Sequence, residues 1–404
     1  MRRVAALLLS TTLIALAVGS QPALASPSET RVETREVFSP DGTISRTTIR
    51  VPRVEQSAPS LAVAAATVVP VEVNGPSESR FDLVFVGDGY TSAQMDLYTQ
   101  HVKSKWAEIA AFEPFKSNRT QFNVWQVNVV STQSGVDNDP TNGVQKSTAL
   151  DMGFWCGGTE RLLCVNQTKA TQYARSARDV DQVLALGNST KYGGAGGGVA
   201  TASGGNAQAG QIAIHELGHS IGGLADEYTY GSGDCYPYAE PSEANVSKLT
   251  AAQMQSQQKK WWRWLGQASP DGGTVGAYVG GRYYTRCVNR PTDNSIMRSL
   301  GRQFNLPGRE AMVAAFYREN GVVQAQSPAG PDLWVTPVGN AKVTWTVDGG
   351  SVEALGAAGN SLSVRGLARG THTVTATVTD PTDWVRDPEL REFLTATVTW
   401  QVTT

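Results

Sequence analysis

A chain of 404 residues is long enough for about two or three domains and a large core. Its 34 Lys and Arg against 36 Asp and Glu leave a net charge of -2, which removes the electrostatic case for nucleic acid or an anionic membrane as partner. Apolar residues make up 40% and charged residues 17%, the balance of a folded protein rather than a disordered one.

Arg2 and Arg3 precede an apolar run over 4–18, and Ala23-Leu24-Ala25 is a small-residue cleavage site. Residues 1–25 therefore read as a signal peptide, with the mature chain beginning at Ser26 and secreted. The arginine pair hints at twin-arginine export, but the residues after it fit the general route better. The run is short for a membrane anchor, and no later segment is apolar enough to cross a bilayer, so no integral membrane contact is expected. Four cysteines, Cys156, Cys164, Cys235 and Cys287, fit export as disulfide candidates with three possible connectivities. Pairing Cys156 with Cys164 would close a local glycine-containing loop, and pairing Cys235 with Cys287 would bracket a later region. No C-x-x-C spacing supports a thiolate zinc site.

Residues 26–68 read as a pro-segment or an N-terminal β hairpin and linker. Alternating stretches at 35–38 and 47–54 flank Ser39-Pro40-Asp41-Gly42, a turn signal, and 57–66 is rich in small residues. The segment has no cysteine that could cap a metal. Residues 81–86 read as a buried strand, and Thr91 or Ser92 caps a helix to about Phe112 with Met95, Tyr98, Val102 and Trp106 on one face. Asp88 at the strand end is assigned to a turn. Residues 122–130 alternate as a second strand. The loop 134–143 carries Asp137, Asn138, Asp139 and Asn142, an oxygen-rich stretch open to Ca²⁺ but without EF-hand spacing. Residues 168–186 are predicted helical, and the glycine-rich 192–198 is either the edge of a peptide-binding cleft or a plain loop.

The stretch Ile214-His215-Glu216-Leu217-Gly218-His219 is an HExxH motif. On a helix it puts two imidazoles on one face, able to share a cation, with Glu216 within reach of a water on that cation. Ala213, Ile214, Leu217 and Ile221 form the opposite, apolar face. Gly222 and Gly223 end the helix, and the turn returns Asp226 toward the histidines. The other two histidines, His101 and His372, are not well placed. Beyond the motif, 250–265 is predicted helical with Trp261, Trp262 and Trp264 as packing residues. Residues 283–290 read as extended, 291–295 as a turn and 307–319 as a helix opened by Pro307. After a linker at 324–331, short alternating strands at 342–347, 361–364, 371–379 and 393–402 suggest an antiparallel sandwich of about 75 residues. His372 is expected on its surface.

The run from His215 to Tyr228 resembles the signature of the IgA peptidase family of secreted bacterial zinc metallopeptidases. Gly87-Asp88-Gly89-Tyr90-Thr91 resembles that family's early strand-to-helix turn. Arg290-Pro291 and Ser295-Ile296-Met297-Arg298 resemble its downstream segment, and the likeness runs over 78–320. It implies an α/β, metzincin-like zinc peptidase domain over 69–323, a twisted mixed sheet plus helices, followed by a small all-β immunoglobulin-like sandwich over 327–404. Met297 would be the methionine beneath the metal. Metzincins usually place a third histidine six residues after the second; Ala225 stands there, so Asp226 is the expected third ligand and Glu227 the alternative.

The reading is a zinc endopeptidase of protein or glycoprotein substrates, a monomer, with one Zn²⁺ on His215, His219 and Asp226. Glu216 would be the general base, and Tyr228 packs below the site or stabilises the transition state. Two other readings are a non-catalytic glycan- or surface-binding protein with a structural metal, and a zinc amidase acting on cell-wall material.

Overall fold

The structure is a computed structural model and describes residues 30–52, 66–230, 233–353 and 359–404. The predicted signal peptide and most of the linker at 57–66 lie outside the described residues. The chain opens with a ribbon of two antiparallel strands, β1 (Thr30–Phe38) and β2 (Ile44–Pro52). The turn between them closes through Gly42 N to the Ser39 carbonyl at 2.9 Å and Thr43 N to Asp41 Oδ1 at 2.9 Å. Gly42 has φ +88°, and a Cβ there would come within 2.8 Å of the Leu300 carbonyl oxygen, so only glycine fits.

The central sheet follows: β3 (Thr67–Glu72), β4 (Phe81–Asp88), helix α1 (Met95–Ala110), β5 (Phe122–Asn128), helix α2 (Gln167–Ala174), β6 (Gln182–Gly187), β7 (Gly194–Ala195) and β8 (Ala200–Ser203). Its order is β3-β5-β4-β6-β8-β7. The four inner strands are parallel and both edge strands antiparallel. Helices on both faces explain the nearly unbroken apolar run of β4. Phe81, Leu83 and Phe85 face α1, the metal-motif helix α3 (Gly210–Ser220) and a later helix. Val84 and Val86 face α2 and the loops beside it.

Next come α4 (Ala251–Gln257), β9 (Tyr278–Gly281) paired with β10 (Tyr284–Arg290), and α5 (Leu306–Asn320). Asn305 caps α5, its side chain accepting from Gly308 N at 3.0 Å, with Pro307 in the first turn as predicted. The chain ends in antiparallel sheets: β11 (Val323–Gln326), β12 (Asp332–Pro337), β13 (Lys342–Val347), β14 (Gly350–Val352), β15 (Ser361–Ser363), β16 (Thr371–Thr379), the short helix α6 (Pro388–Arg391) and β17 (Thr395–Thr403). They form one sheet of order β11-β12-β15 and another of order β14-β13-β16-β17. A core of their own, with Trp345 and Trp400 stacked at 5.6 Å, continues onto Val313 and Tyr317 of α5.

Several predicted elements need correction. The helix expected over 168–186 is a short helix, α2, followed by strand β6. The run Val183-Leu184-Ala185-Leu186 is buried on both faces as an inner strand, and periodicity cannot separate that from buried helix. The helix expected over 250–265 stops at Gln257. Gln258 and Lys260 take φ of +52° and +56°, and Trp261 and Trp264 donate to different partners, the Gly276 carbonyl at 2.6 Å and Glu310 at 2.5 Å. The linker expected at 324–331 begins as strand β11, and the last strand starts at Thr395 after a helical turn.

Candidate metal centre

Helix α3 carries His215 and His219 one turn apart, with His215 fully buried and His219 about a quarter exposed. The helix ends in an αL turn: Gly223 N donates to the His219 carbonyl at 3.0 Å, and Leu224 N reaches back to the Gly218 carbonyl at 3.1 Å. Gly223 sits at φ +57°, the left-handed conformation that this closure needs. The turn then directs Asp226 back at the helix, as its spacing predicted.

Each imidazole is held by a backbone carbonyl. His215 Nδ1 lies 2.9 Å from the Ile296 carbonyl and His219 Nδ1 2.6 Å from the Leu224 carbonyl. A carbonyl only accepts, so both Nδ1 atoms carry protons and both Nε2 atoms are left to point into the site. They stand 3.1 Å apart. Asp226 Oδ1 lies 3.4 Å from His215 Nε2 and 3.2 Å from His219 Nε2, while its Oδ2 accepts from the Tyr283 hydroxyl at 2.5 Å. Tyr283 is itself fixed by backbone pairing to Tyr228 and Tyr230, with Arg282 and Tyr283 both at positive φ.

A fourth side chain arrives from the other end of the sequence. Glu36 on β1 puts Oε2 3.4 Å from His215 Nε2 and 3.9 Å from His219 Nε2. Its Oε1 accepts from the Tyr228 hydroxyl. Glu36, His215, His219 and Asp226 offer ligand atoms all within 4.8 Å of one another. Four ligands around a tetrahedral ion with bonds of about 2.0–2.2 Å would stand about 3.3–3.6 Å apart, close to the observed spacings. The donor set, two imidazoles and carboxylates, suits Zn²⁺. Asp226 Oδ1 is buried with no hydrogen-bond donor facing it, as a ligand atom would be.

Electrostatics agree that this point attracts positive charge. Burial lowers His219, but the Asp226 carboxylate outweighs it and the imidazole is pushed up to about 9. His215 is raised in the same way by Asp226 and Glu36 against its burial. Burial raises Asp226, yet the two imidazoles hold it well below the usual carboxylate range. The two carboxylates thus favour positive charge at the point where the four side chains meet.

Glu216 follows His215 on α3 and is buried, with Oε1 lacking any partner. Burial first, then the Glu36 carboxylate, push its pKa up against the two histidines. Gly196, next to edge strand β7, lies against it, and a Cβ there would sit 2.1 Å from Glu216 Oε1. A cavity of about 200 Å³ lined by Gly197, Gly198, Ala200, Glu216, His219 and Ser220 opens on this side. The glycine-rich stretch thus forms a cleft wall.

Other expected residues fall elsewhere. Glu227 turns away from the cluster and accepts from Asn245, Asn305 and Ser295 at 2.9, 2.9 and 2.8 Å, fully buried and pushed up to about 7 by that burial. Met297 is buried against α3, where a Cβ on Gly218 would come within 2.7 Å of its sulfur. Tyr228 packs with Phe38 and Ile212. Asp88 is a buried clamp accepting from Leu150 N, Met152 N, Thr148 and Ser131, in keeping with its turn assignment. Asp137 and Asn138, read as open to Ca²⁺, spend their side chains on the loop backbone at Lys146, Gly143 and Phe154. His372, expected on the surface, is half-buried on β16 and bonded to Asp348 at 2.7 Å. The bonded cysteines are Cys156 with Cys164 and Cys235 with Cys287.

The sequence model of the IgA Peptidase M64 family matches residues 69–272, half of the chain, with α3 and Asp226 inside the match. The chain belongs to this family. As an M64 peptidase it is a metallopeptidase, a hydrolase of peptide bonds. No curated protein matches the chain. Glu36 and Met297 both lie outside the span that the M64 model covers. Glu36 and Tyr283 are the site residues that sequence reasoning missed. The period-2 pattern of β1 puts Glu36 on one face with Phe38, but nothing local aims that face at a helix 179 residues later.

Proposed function

We propose that this M64 peptidase is a secreted zinc-dependent endopeptidase of extracellular proteins. The observation that carries the reading is the convergence of His215 Nε2, His219 Nε2 and Asp226 Oδ1 on one point, with the unpartnered, buried Glu216 beside it. When bound there, Zn²⁺ would polarise the scissile carbonyl and acidify a water.

The chain's own residues do the rest. The Ile296 and Leu224 carbonyls orient the imidazoles, and the Tyr283 hydroxyl leaves Asp226 Oδ1 to bind. Glu216 takes a proton from the attacking water at its carboxylate and returns it to the leaving amine nitrogen. The upward push on its pKa suits a group that must both accept and release that proton. Met297 supports the floor under α3, and Tyr228 packs at its edge.

The mixed sheet, the antiparallel edge strand β7 beside α3 and the methionine beneath favour a metzincin-like assignment for 69–323. Two antiparallel sheets around Trp345 and Trp400 favour an immunoglobulin-like sandwich for 327–404. Two disulfides favour export, and among the described residues no helix is long and apolar enough to cross a membrane.

One observation favours the structural-metal reading: with Glu36 the cluster has four protein ligands, the number of a closed site. Against it stands Glu216, a buried carboxylate oxygen with no structural employment. Zinc content and casein cleavage test the choice. The chain should hold one zinc, lose it in His215→Ala, and keep it in Glu216→Ala while casein fragments cease to form. Undiminished cleavage by Glu216→Ala, against measurable cleavage by its Glu216-containing counterpart, would overturn the reading.

A further inference from the structure

The ribbon β1–β2 does more than lend a carboxylate. It spans the site from one wall to the other. On the β7 side, Arg35 Nη1 donates to the Gly196 carbonyl at 2.7 Å, and Val37 and Ile49 bury against Leu162 and Ala195. At its tip, Leu300 N donates to the Gly42 carbonyl at 3.0 Å and Thr43 bridges to Ser299, just past Met297. Over the metal cluster, Phe38 meets the His215 ring edge-on at 5.4 Å, and Arg46, opposite Glu36 in the ribbon, lies 3.9 Å over the Tyr283 ring. Arg161 and Tyr192 hold the end of β1 by its Phe38 and Ser39 carbonyls at 3.0 and 3.3 Å.

A peptidase needs a ligand position open to water and a cleft wall open to the substrate backbone. Here Glu36 Oε2 sits 3.4 Å from the His215 Nε2 and 3.9 Å from the His219 Nε2, and Arg35 occupies the Gly196 carbonyl next to the edge strand. The Tyr228 hydroxyl, a phenol beside the cluster, is spent on Glu36.

Resting on the zinc endopeptidase reading, we propose that residues 30–52 are a built-in inhibitor. The Glu36 carboxylate fills the fourth metal position, and β1 lies across the substrate cleft, so that the chain is latent until this ribbon is withdrawn. Withdrawal frees the fourth position for water, the Gly196 carbonyl for a substrate backbone and the Tyr228 hydroxyl for the reacting carbonyl. The contacts explain the ribbon's place at the site. Two strands have no core of their own, and every buried side chain of this ribbon is buried against the peptidase.

The test uses the full chain and its Glu36→Ala and Glu36→Gln variants loaded with Co²⁺. Acetohydroxamate, which needs an accessible metal position, is titrated while the cobalt absorption spectrum is followed, and casein cleavage is measured alongside. The parent should bind Co²⁺ and respond weakly to hydroxamate. Glu36→Ala should bind hydroxamate and cleave casein better by about tenfold or more, with Glu36→Gln between them. Phe38→Ala, which keeps Glu36 but weakens the seat of the ribbon, should move the same way. If all forms take up Co²⁺ and bind hydroxamate equally, the ribbon is not an inhibitor, and the metallopeptidase reading stands. If no form takes up Co²⁺, the metal site itself is wrong and the inference falls with it. Melting curves confirm that each variant is folded.

Discussion

The two β additions that flank the central sheet bury themselves differently. The C-terminal sheets close a core around Trp345, Trp400, Leu333 and Val374, and meet the rest of the chain at α5 through Val313 and through the Tyr317 hydroxyl, which donates to Asp380 at 2.5 Å. None of the metal-cluster residues lies in them. The N-terminal ribbon has no such core. Val37, Phe38, Ile44 and Ile49 are buried only because Leu162, Ala195, Ile212 and Tyr228 cover them. A segment that must borrow its burial is stable only where it docks, and this one docks on the candidate metal cluster. The difference separates a module that folds beside the enzyme from one whose stability is tied to the state of the active site.

Four perturbations sharpen this contrast. The largest effect should come from Glu216→Ala made in the Glu36→Ala background, where casein cleavage falls by about a thousandfold with bound zinc unchanged. That drop sets the scale on which either addition is judged to affect catalysis. Next, Trp400→Ala should cost about 3–5 kcal/mol, read as a lower denaturation midpoint, because it empties the C-terminal core. The folded fraction should cut casein at the parental rate; a changed kcat/KM would break the contrast by tying those sheets to the site.

Phe38→Ala should remove about 3 kcal/mol from the docking of the ribbon, seen as faster amide exchange over β1 and β2 with a smaller shift in global melting than Trp400→Ala. Equal shifts in both would mean that the ribbon belongs to the global core. The smallest effect is assigned to His372→Gln. Hydrogen bonds to Asp348 and to the Ala368 carbonyl raise His372 above its ordinary value, so the folded state holds its proton more tightly. That stabilisation is full below the unfolded pKa and fades as pH rises through the folded one. The parent should therefore lose a small increment of melting temperature as pH rises above the unfolded value of about 6.5 that the variant does not lose, with cleavage unaffected.

How much of this was legible in the sequence depends on reach along the chain. The α3 site was readable because its geometry is local: i and i+4 share a helix face, and the glycine turn after it returns Asp226 within seven residues of His219. The Pro-Asp-Gly turn of the ribbon was readable for the same reason. Misread elements fall where local pattern is ambiguous. The apolar run of β6 fits buried strand and helix alike, and the tryptophans after α4 look helical until Gly276 and Glu310 draw them apart. Glu227 and Asp226 are neighbours with the same chemistry; only the Asn245, Asn305 and Ser295 donors direct one of them away from the cluster.

By itself, the sequence determined the helix that carries both histidines, the place of Glu216 between them, the turn that brings in Asp226, and the β character of both ends. Those features follow from backbone periodicity and turn stereochemistry, which act over a few residues. Only the tertiary structure decided that Glu36 joins His215 and His219, that Tyr283 buttresses Asp226, and that the glycine-rich edge faces Glu216. These contacts join segments that lie 20 residues apart for Gly196 and Glu216, 57 for Tyr283 and Asp226, and 179 for Glu36 and His215, and such segments meet only when the sheet, α3 and the β9–β10 pair have packed around one another.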